Sequence, residues 1–211
     1  MSNIILDLDM KITGLIGNST NSIFYNFFNK ESIDTFFKVI TRFGEGYLGL
    51  FIVLICLFLV KVRKKDEYML LAKGIFFSFI SSGIVVSILK RVVGRERPYV
   101  SFHPDRFYGL KYLYEHNLLW DSAYHSFPSG HTITIFTTIW YIWLNSKNSA
   151  IRIGLLILGC LVGISRVYLS YHWTSDVLFS VFLSYFIARA VDYKLRQKKA
   201  LKYFKFIFTK W

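Results

Sequence analysis

Charge is scarce in this chain. Only 18% of its 211 residues are Asp, Glu, Lys or Arg, where a water-soluble domain carries closer to a quarter. Acidic residues are scarcer still, 13 against 26 basic ones, which leaves a formal charge of +13. Three prolines and 13 glycines exclude a low-complexity or collagen-like chain. The two cysteines, Cys56 and Cys160, sit in apolar runs without metal-ligand spacing, which excludes a disulfide scaffold and a zinc module. Apolar residues fill the space: 54% are hydrophobic and 19% aromatic, with a mean hydropathy of +0.39. An ordinary soluble domain is thereby excluded. The basic excess, a nucleic-acid footprint in a soluble protein, here marks cytoplasmic loops, and no nucleic-acid partner is expected.

The apolar runs predict an all-α, polytopic membrane bundle of about five transmembrane helices plus an N-terminal amphipathic helix. The spans are expected over Tyr47–Val62, Tyr68–Leu89, His131–Leu144, Ile151–Ile164 and Trp173–Val191. Several fall short of the roughly 20 residues of a full crossing, which short spans tolerate when their polar ends line a shared cavity. Ile23–Phe43 alternates Ile23, Phe24, Phe27, Phe28, Phe36, Phe37 and Ile40 with Lys30, Glu31, Asp34, Lys38 and Arg42, too polar for a span and suited to the interface. Asp7 and Asp9 interrupt the first apolar residues, so no secretory signal is read there. The chain divides into an interfacial segment 1–45, a membrane core 46–192 with a loop 91–127, and a basic tail 193–211.

Lysine and arginine orient the bundle. Lys61, Arg63, Lys64, Lys65, Lys147, Arg152 and the eight basic residues from Arg189 onward share one side, 14 of the 26. That side is expected to be cytoplasmic, with the C-terminus inside and the N-terminal segment outside. The tail reads as a stop-transfer flank that also suits anionic lipid heads. Heavy use of Ile, Lys, Phe and Asn suits an AT-rich bacterial genome, hence a bacterial cytoplasmic (inner) membrane.

Chemistry gathers on the outer side, in three clusters. Lys90 and Arg97 are seven residues apart, two helical turns if the helix runs on to Pro98, and both can then grip one anion. Ser129 precedes Gly130 and His131 at a helix start, where free backbone amides make an anion site and Ser129 can cap. Arg166 closes the fourth span. His172 and Asp176, four apart, can meet on a helix, the carboxylate fixing one imidazole nitrogen and freeing the other. Each cluster alone is as readily an ordinary membrane flank, helix cap or structural pair. Together, two His and one Asp among Lys and Arg make a poor cation site and a good oxyanion site.

Lys90-x6-Arg97-Pro98, Pro128-Ser129-Gly130-His131 and Ser165-Arg166-x5-His172-x3-Asp176 resemble the three-part signature of the type 2 phosphatidic acid phosphatase superfamily. That family holds the integral-membrane lipid phosphate phosphatases and, more remotely, vanadium haloperoxidases. Its bacterial members often have six spans; here the first is replaced by the amphipathic segment. The resemblance implies a phosphohydrolase with no metal and no cofactor. By position, His172 is the nucleophile that forms a phosphohistidine, Asp176 orients and supports it, and His131 protonates the leaving oxygen and then activates water. Lys90, Arg97, Arg166, Ser129 and the Gly130 amide hold the phosphoryl oxygens. The substrate is a phosphorylated membrane lipid within the bilayer: phosphatidic acid, phosphatidylglycerol phosphate, undecaprenyl diphosphate or the 1-phosphate of lipid A. The loop from Tyr99 to Phe127 is expected to choose among them, and no oligomeric state is implied. Arg91, Arg95, His103, His116 and His125 fall outside the signature and read as interfacial or headgroup-contacting. A non-enzymatic lipid-phosphate binding or transport module needs only the basic residues, so intact His131, His172 and Asp176 weigh against it. A haloperoxidase is disfavoured because that chemistry belongs to soluble relatives.

Overall fold

In a computed structural model, which describes residues 4–17, 22–64 and 66–208, with side chains described as far as 197, the chain is helical throughout. The helices are α1 (Ile4–Ile16), α2 (Lys30–Thr41), α3 (Tyr47–Arg63), α4 (Asp66–Val93), α5 (Gly109–Glu115), α6 (Gly130–Asn145), α7 (Ser149–Tyr168) and α8 (Thr174–Phe208). Extended pairing among the described residues is limited to an isolated bridge between Arg95 and Phe107.

Helix α6 is the axis, packed by α3, α4, α7 and α8. Its apolar core comprises Ile133, Ile135, Phe136, Ile139 and Tyr141, all nearly solvent-free. Around it the polarity of a soluble protein is reversed. Small hydroxyls such as Ser78, Ser82, Thr137, Ser180 and Ser184 face inward, while Phe51, Leu54, Phe58, Ile84, Ile88, Leu178 and Phe182 face out. Lipid is the solvent that covers such an exterior, and small polar residues let helices approach closely within it.

Helices form at all five predicted spans, but fewer have the length of a crossing. The α4 helix, α7 and α8 as far as Gln197 are long and apolar enough, and α2 with α3 qualifies as one span broken by a 49° bend. At 17 and 16 residues, α3 and α6 fall short of a crossing alone. The amphipathic helix expected over Ile23–Phe43 is divided: a short 3-10 turn covers Ile23–Asn26, and the Asn29 side chain, accepting from the Glu31 amide, restarts the chain as α2. Ile33 and Phe37 of α2 bury against Tyr168. The first helix, α1, has no counterpart among the sequence expectations. It turns Asp9 and Thr13 inward against α7 and α8 and leaves Ile4, Ile5, Leu8 and Leu15 outside. The loop 91–127 is structured by α5 and a 3-10 turn at Ser122–Tyr124. The basic tail continues α8 to Phe208; its side chains from residue 198 onward lie outside the described residues.

Candidate active site

The three clusters converge where α4 ends and α6 and α8 begin. Helix α4 places acidic Asp66 and Glu67 in its first turn and Lys90 and Arg91 in its last, both favourable to the helix dipole. It does not run on to Pro98 as the two-turn spacing assumed. Gly94 ends it with φ +59°, and a Cβ there would stand 2.9 Å from the Gly109 amide nitrogen, so turn and close approach together demand glycine. Arg97 therefore comes from the loop, anchored by its amide to the Ala123 carbonyl at 2.9 Å. It still comes close enough to Lys90 and Arg166 for the three charges to repel one another.

Ser129 occupies the N-cap position of α6 but makes no side-chain cap. Its hydroxyl pairs with Thr132 Oγ1 at 2.9 Å and its amide donates to Ser180 Oγ at 2.8 Å. The first-turn amides of α6 are thus left for an incoming anion. Lys90 Nζ closes over that helix start: a Cβ on Gly130 would lie 3.7 Å from it, in ordinary contact.

Arg166, 6% exposed, donates from Nη1 to Thr41 Oγ1 at 2.7 Å and lies over the Tyr171 ring at 4.5 Å. Arg97 lies over the same ring at 5.7 Å. Both leave a buried Nε without a hydrogen-bond partner. Burial also pulls the Arg97 guanidinium below its usual range, partly offset by Tyr99 and Tyr171. Three desolvated cations with no carboxylate in a close ion pair among the described residues make a strong attraction for an anion.

His172 departs from the expected helical pair. It lies two residues before α8, and its Nδ1 is 3.8 Å from Asp176 Oδ2 but 2.5 Å from the Ser126 carbonyl oxygen. A carbonyl only accepts, so Nδ1 carries the proton and Nε2 keeps its lone pair. Asp176 acts at one remove. Its Oδ2 accepts from Ser126 Oγ at 2.5 Å and the Trp173 amide at 2.9 Å, while Oδ1 accepts from Arg95 Nη1. Burial, reinforced by the charges of Arg166 and Arg97 and only partly offset by Asp176, pushes the His172 imidazole down to about 3. The ring is neutral at physiological pH.

His131, in the first turn of α6, is more open, its side chain 29% exposed. Its Nε2 is 4.0 Å from Glu45 Oε1. Gly44 packs directly beneath, where a Cβ would come within 2.7 Å of His131 Cβ and 2.9 Å of Val162. Thr41, Gly44 and Glu45 all belong to the end of the N-terminal segment, which sequence reasoning assigned to the interface alone.

Arg95 is the clearest departure outside the signature. Instead of lying at the interface it is 2% exposed, bridging Asp176 and Asp9. Arg91 does lie outward, over Trp120 at 4.2 Å. His116 stacks on Tyr112 at the end of α5. His125 is half-buried, with Nε2 unpartnered, and is lowered by burial and then by the Lys90 and Arg91 charges. Among the described residues no three His, Cys, Asp or Glu side chains are grouped to hold a metal ion.

The model of the PAP2 superfamily matches residues 71–199, from the first turns of α4 into α8. The chain belongs to the PAP2 superfamily. Its relatives include a lipid A 1-phosphatase of Rhizobium johnstonii, 30% identical over 104 residues (49% of this chain, 39% of the relative). A probable lipid phosphate phosphatase 4 of Arabidopsis thaliana is 29% identical over 167 residues, 65% of this chain and 52% of that one. The chain thus spans about half or less of the curated relatives it matches. Two crystal structures share the fold. Aquifex aeolicus LpxE has a TM-score of 0.62 at 23% identity, covering 87% of this chain and 94% of its own. A transmembrane PAP2-type phosphatidylglycerolphosphate phosphatase of Bacillus subtilis has a TM-score of 0.65 at 21% identity, covering 93% and 88%. As a PAP2 protein, the chain is an integral-membrane helical bundle, and residues 1–70 lie ahead of the matched region.

Proposed function

We propose that this PAP2 protein is a membrane lipid phosphatase that hydrolyses a phosphate monoester, or the terminal phosphate of a pyrophosphate, through a phosphohistidine. The observation that carries the reading is His172: its Nδ1–H is held by the Ser126 carbonyl, so a neutral Nε2 is available beside Lys90, Arg97 and Arg166. The three cations and the α6 amides hold the phosphoryl oxygens; Nε2 attacks phosphorus, and the bond to the leaving oxygen breaks. His131 gives that oxygen its proton. Water then attacks phosphorus, losing a proton to His131, while the P–N bond breaks and inorganic phosphate leaves.

An apolar groove of about 490 Å³ between α6 and α8, lined by Trp140, Leu178, Phe182 and Tyr185, suits an acyl or prenyl chain. The substrate classes are phosphatidic acid, phosphatidylglycerol phosphate, undecaprenyl diphosphate and the 1-phosphate of lipid A, the names of the two curated relatives favouring lipid phosphates generally. The 14 basic residues on the opposite side support a site on the outer face of a bacterial inner membrane and a cytoplasmic C-terminus. The test is phosphate release from those four lipids by purified protein in detergent, with and without EDTA. Release from at least one, unaffected by EDTA, is expected; binding without release from any would favour a lipid-phosphate binding module.

A further inference from the structure

Behind the nucleophile runs a buried chain of charge that the mechanism above does not use. Asp9, Arg95 and Asp176 are 3%, 2% and 0% exposed. Arg95 Nη1 donates to Asp176 Oδ1 and to Ser175 Oγ, and Nη2 donates to Asp9 Oδ2 at 2.7 Å and to the Pro104 carbonyl at 2.9 Å. Asp9 in turn accepts from the Ser175 amide at 2.9 Å and from Ser175 Oγ, so one α1 carboxylate caps the start of α8. One turn along α1, Thr13 accepts from the Thr174 amide at 3.1 Å.

The chain ends on Ser126. The Ser126 amide donates to the Arg95 carbonyl at 2.9 Å, and its hydroxyl donates to the carboxylate that Arg95 holds. The remaining polar group of Ser126, its carbonyl, is the one that fixes His172. Orientation of the nucleophile therefore passes from α1 through Arg95 to Ser126 and Asp176.

We propose that Asp9 and Arg95 are positioning residues for His172, so that the N-terminal helix completes the active site from behind. The proposal rests on the phosphohistidine reading of the same site. A tether serving stability alone would need neither two carboxylates on one guanidinium nor Ser126 held at its amide by the Arg95 carbonyl and at its hydroxyl by the carboxylate that Arg95 pairs with. Their combined charge also faces the ring that becomes an imidazolium on phosphorylation.

Conservative variants keep the fold within reach, because removing a whole partner strands a buried charge. In Asp9→Asn and Arg95→Lys, the rate of phosphoenzyme formation from an activated aryl phosphate, read by rapid quench, is expected to fall on the order of 10- to 100-fold. KM and inhibition by inorganic phosphate should stay within about twofold, since the three cations are untouched. The double variant should be little worse than the worse single one, as for groups acting as a unit. Independently of turnover, nitrogen shifts of labelled His172 should report a pure Nδ1–H tautomer in the unaltered protein and a mixture in Asp9→Asn. Unchanged rate and unchanged tautomer in both variants overturn the proposal, as does a fall in phosphate affinity that tracks loss of melting temperature. If the unaltered protein releases phosphate from no substrate, the functional reading fails, while the tautomer in Asp9→Asn still decides this one.

Discussion

The two histidines of the site live in opposite surroundings. His172 is almost wholly enclosed, its ring fixed by a carbonyl that is itself held by Arg95 and Asp176. His131 has a third of its side chain open, rests on the bare backbone of Gly44, and has its nearest carboxylate 4.0 Å away. A nucleophile gains from a fixed lone pair, because attack needs one geometry. An acid that serves first the leaving oxygen and then a water must reach two positions and exchange protons, which a looser site permits. On the proposed mechanism the difference between the two sides is a division of labour, and it can be broken experimentally.

The largest effect should come from the enclosed side. His172→Ala removes the only group proposed to bond to phosphorus, so turnover should vanish on every substrate, activated or not, with the protein still folded. Residual phosphoenzyme trapped in that variant would assign the nucleophile elsewhere. On the open side, His131→Ala should lose roughly two to four orders of magnitude on a lipid monoester and distinctly less on an activated aryl phosphate, whose leaving group needs little proton. Equal losses on the two substrates would mean that His131 only grips phosphate.

A smaller effect probes the edge of the anion pocket. Thr41 accepts from Arg166 Nη1 at 2.7 Å across 125 residues. A hydrogen bond to a charged group contributes about 1.5–3 kcal/mol, and the bound phosphate and the Tyr171 face retain part of the arginine's placement. Thr41→Val should therefore raise KM by roughly 3- to 10-fold with kcat little changed. A fall in kcat at constant KM would move Thr41 from binding to the chemical step.

How much was legible follows from distance along the chain. The helices α3, α4, α6, α7 and α8 stand in long apolar runs, and Lys90, Arg97, Ser129, Gly130, His131, Arg166, His172 and Asp176 sit in short clusters at their ends. The structure brings all of these together. What sequence reading missed is contributed across the fold: Asp9 bonds to Ser175 across 166 residues, and Thr41 to Arg166 across 125. No periodicity reports such a pair. Arg95 read as one more juxtamembrane base because its burial depends on α1, a helix whose start looked merely polar. A signal was present, since Asp9 stands between the apolar Leu8 and Met10, and a carboxylate that a membrane helix turns inward needs a partner. Ser126, two residues before the signature cluster, contributes through its backbone, which no side-chain motif records.

The smallest expected effect is an absence of one. Ordinary histidine gains its proton near pH 6.5, and a nucleophile with that behaviour would lose rate as pH falls through this value. In His172, burial favours the neutral ring and lowers its pKa to about 3. A lowered pKa leaves the imidazole unprotonated everywhere above that value, so protonation of the nucleophile does not enter between pH 5 and 7. Phosphoenzyme formation should be measured with an aryl phosphate whose own ionisation lies below this window, and whose leaving group makes His131 dispensable. The rate should then be flat across it. A lipid monoester, which needs the proton that His131 is proposed to deliver, is not a substitute in this test. An acid limb with a midpoint near 6.5 on the aryl phosphate would mean that His172 is hydrated and free to protonate, and the contrast between an enclosed nucleophile and an open acid would collapse.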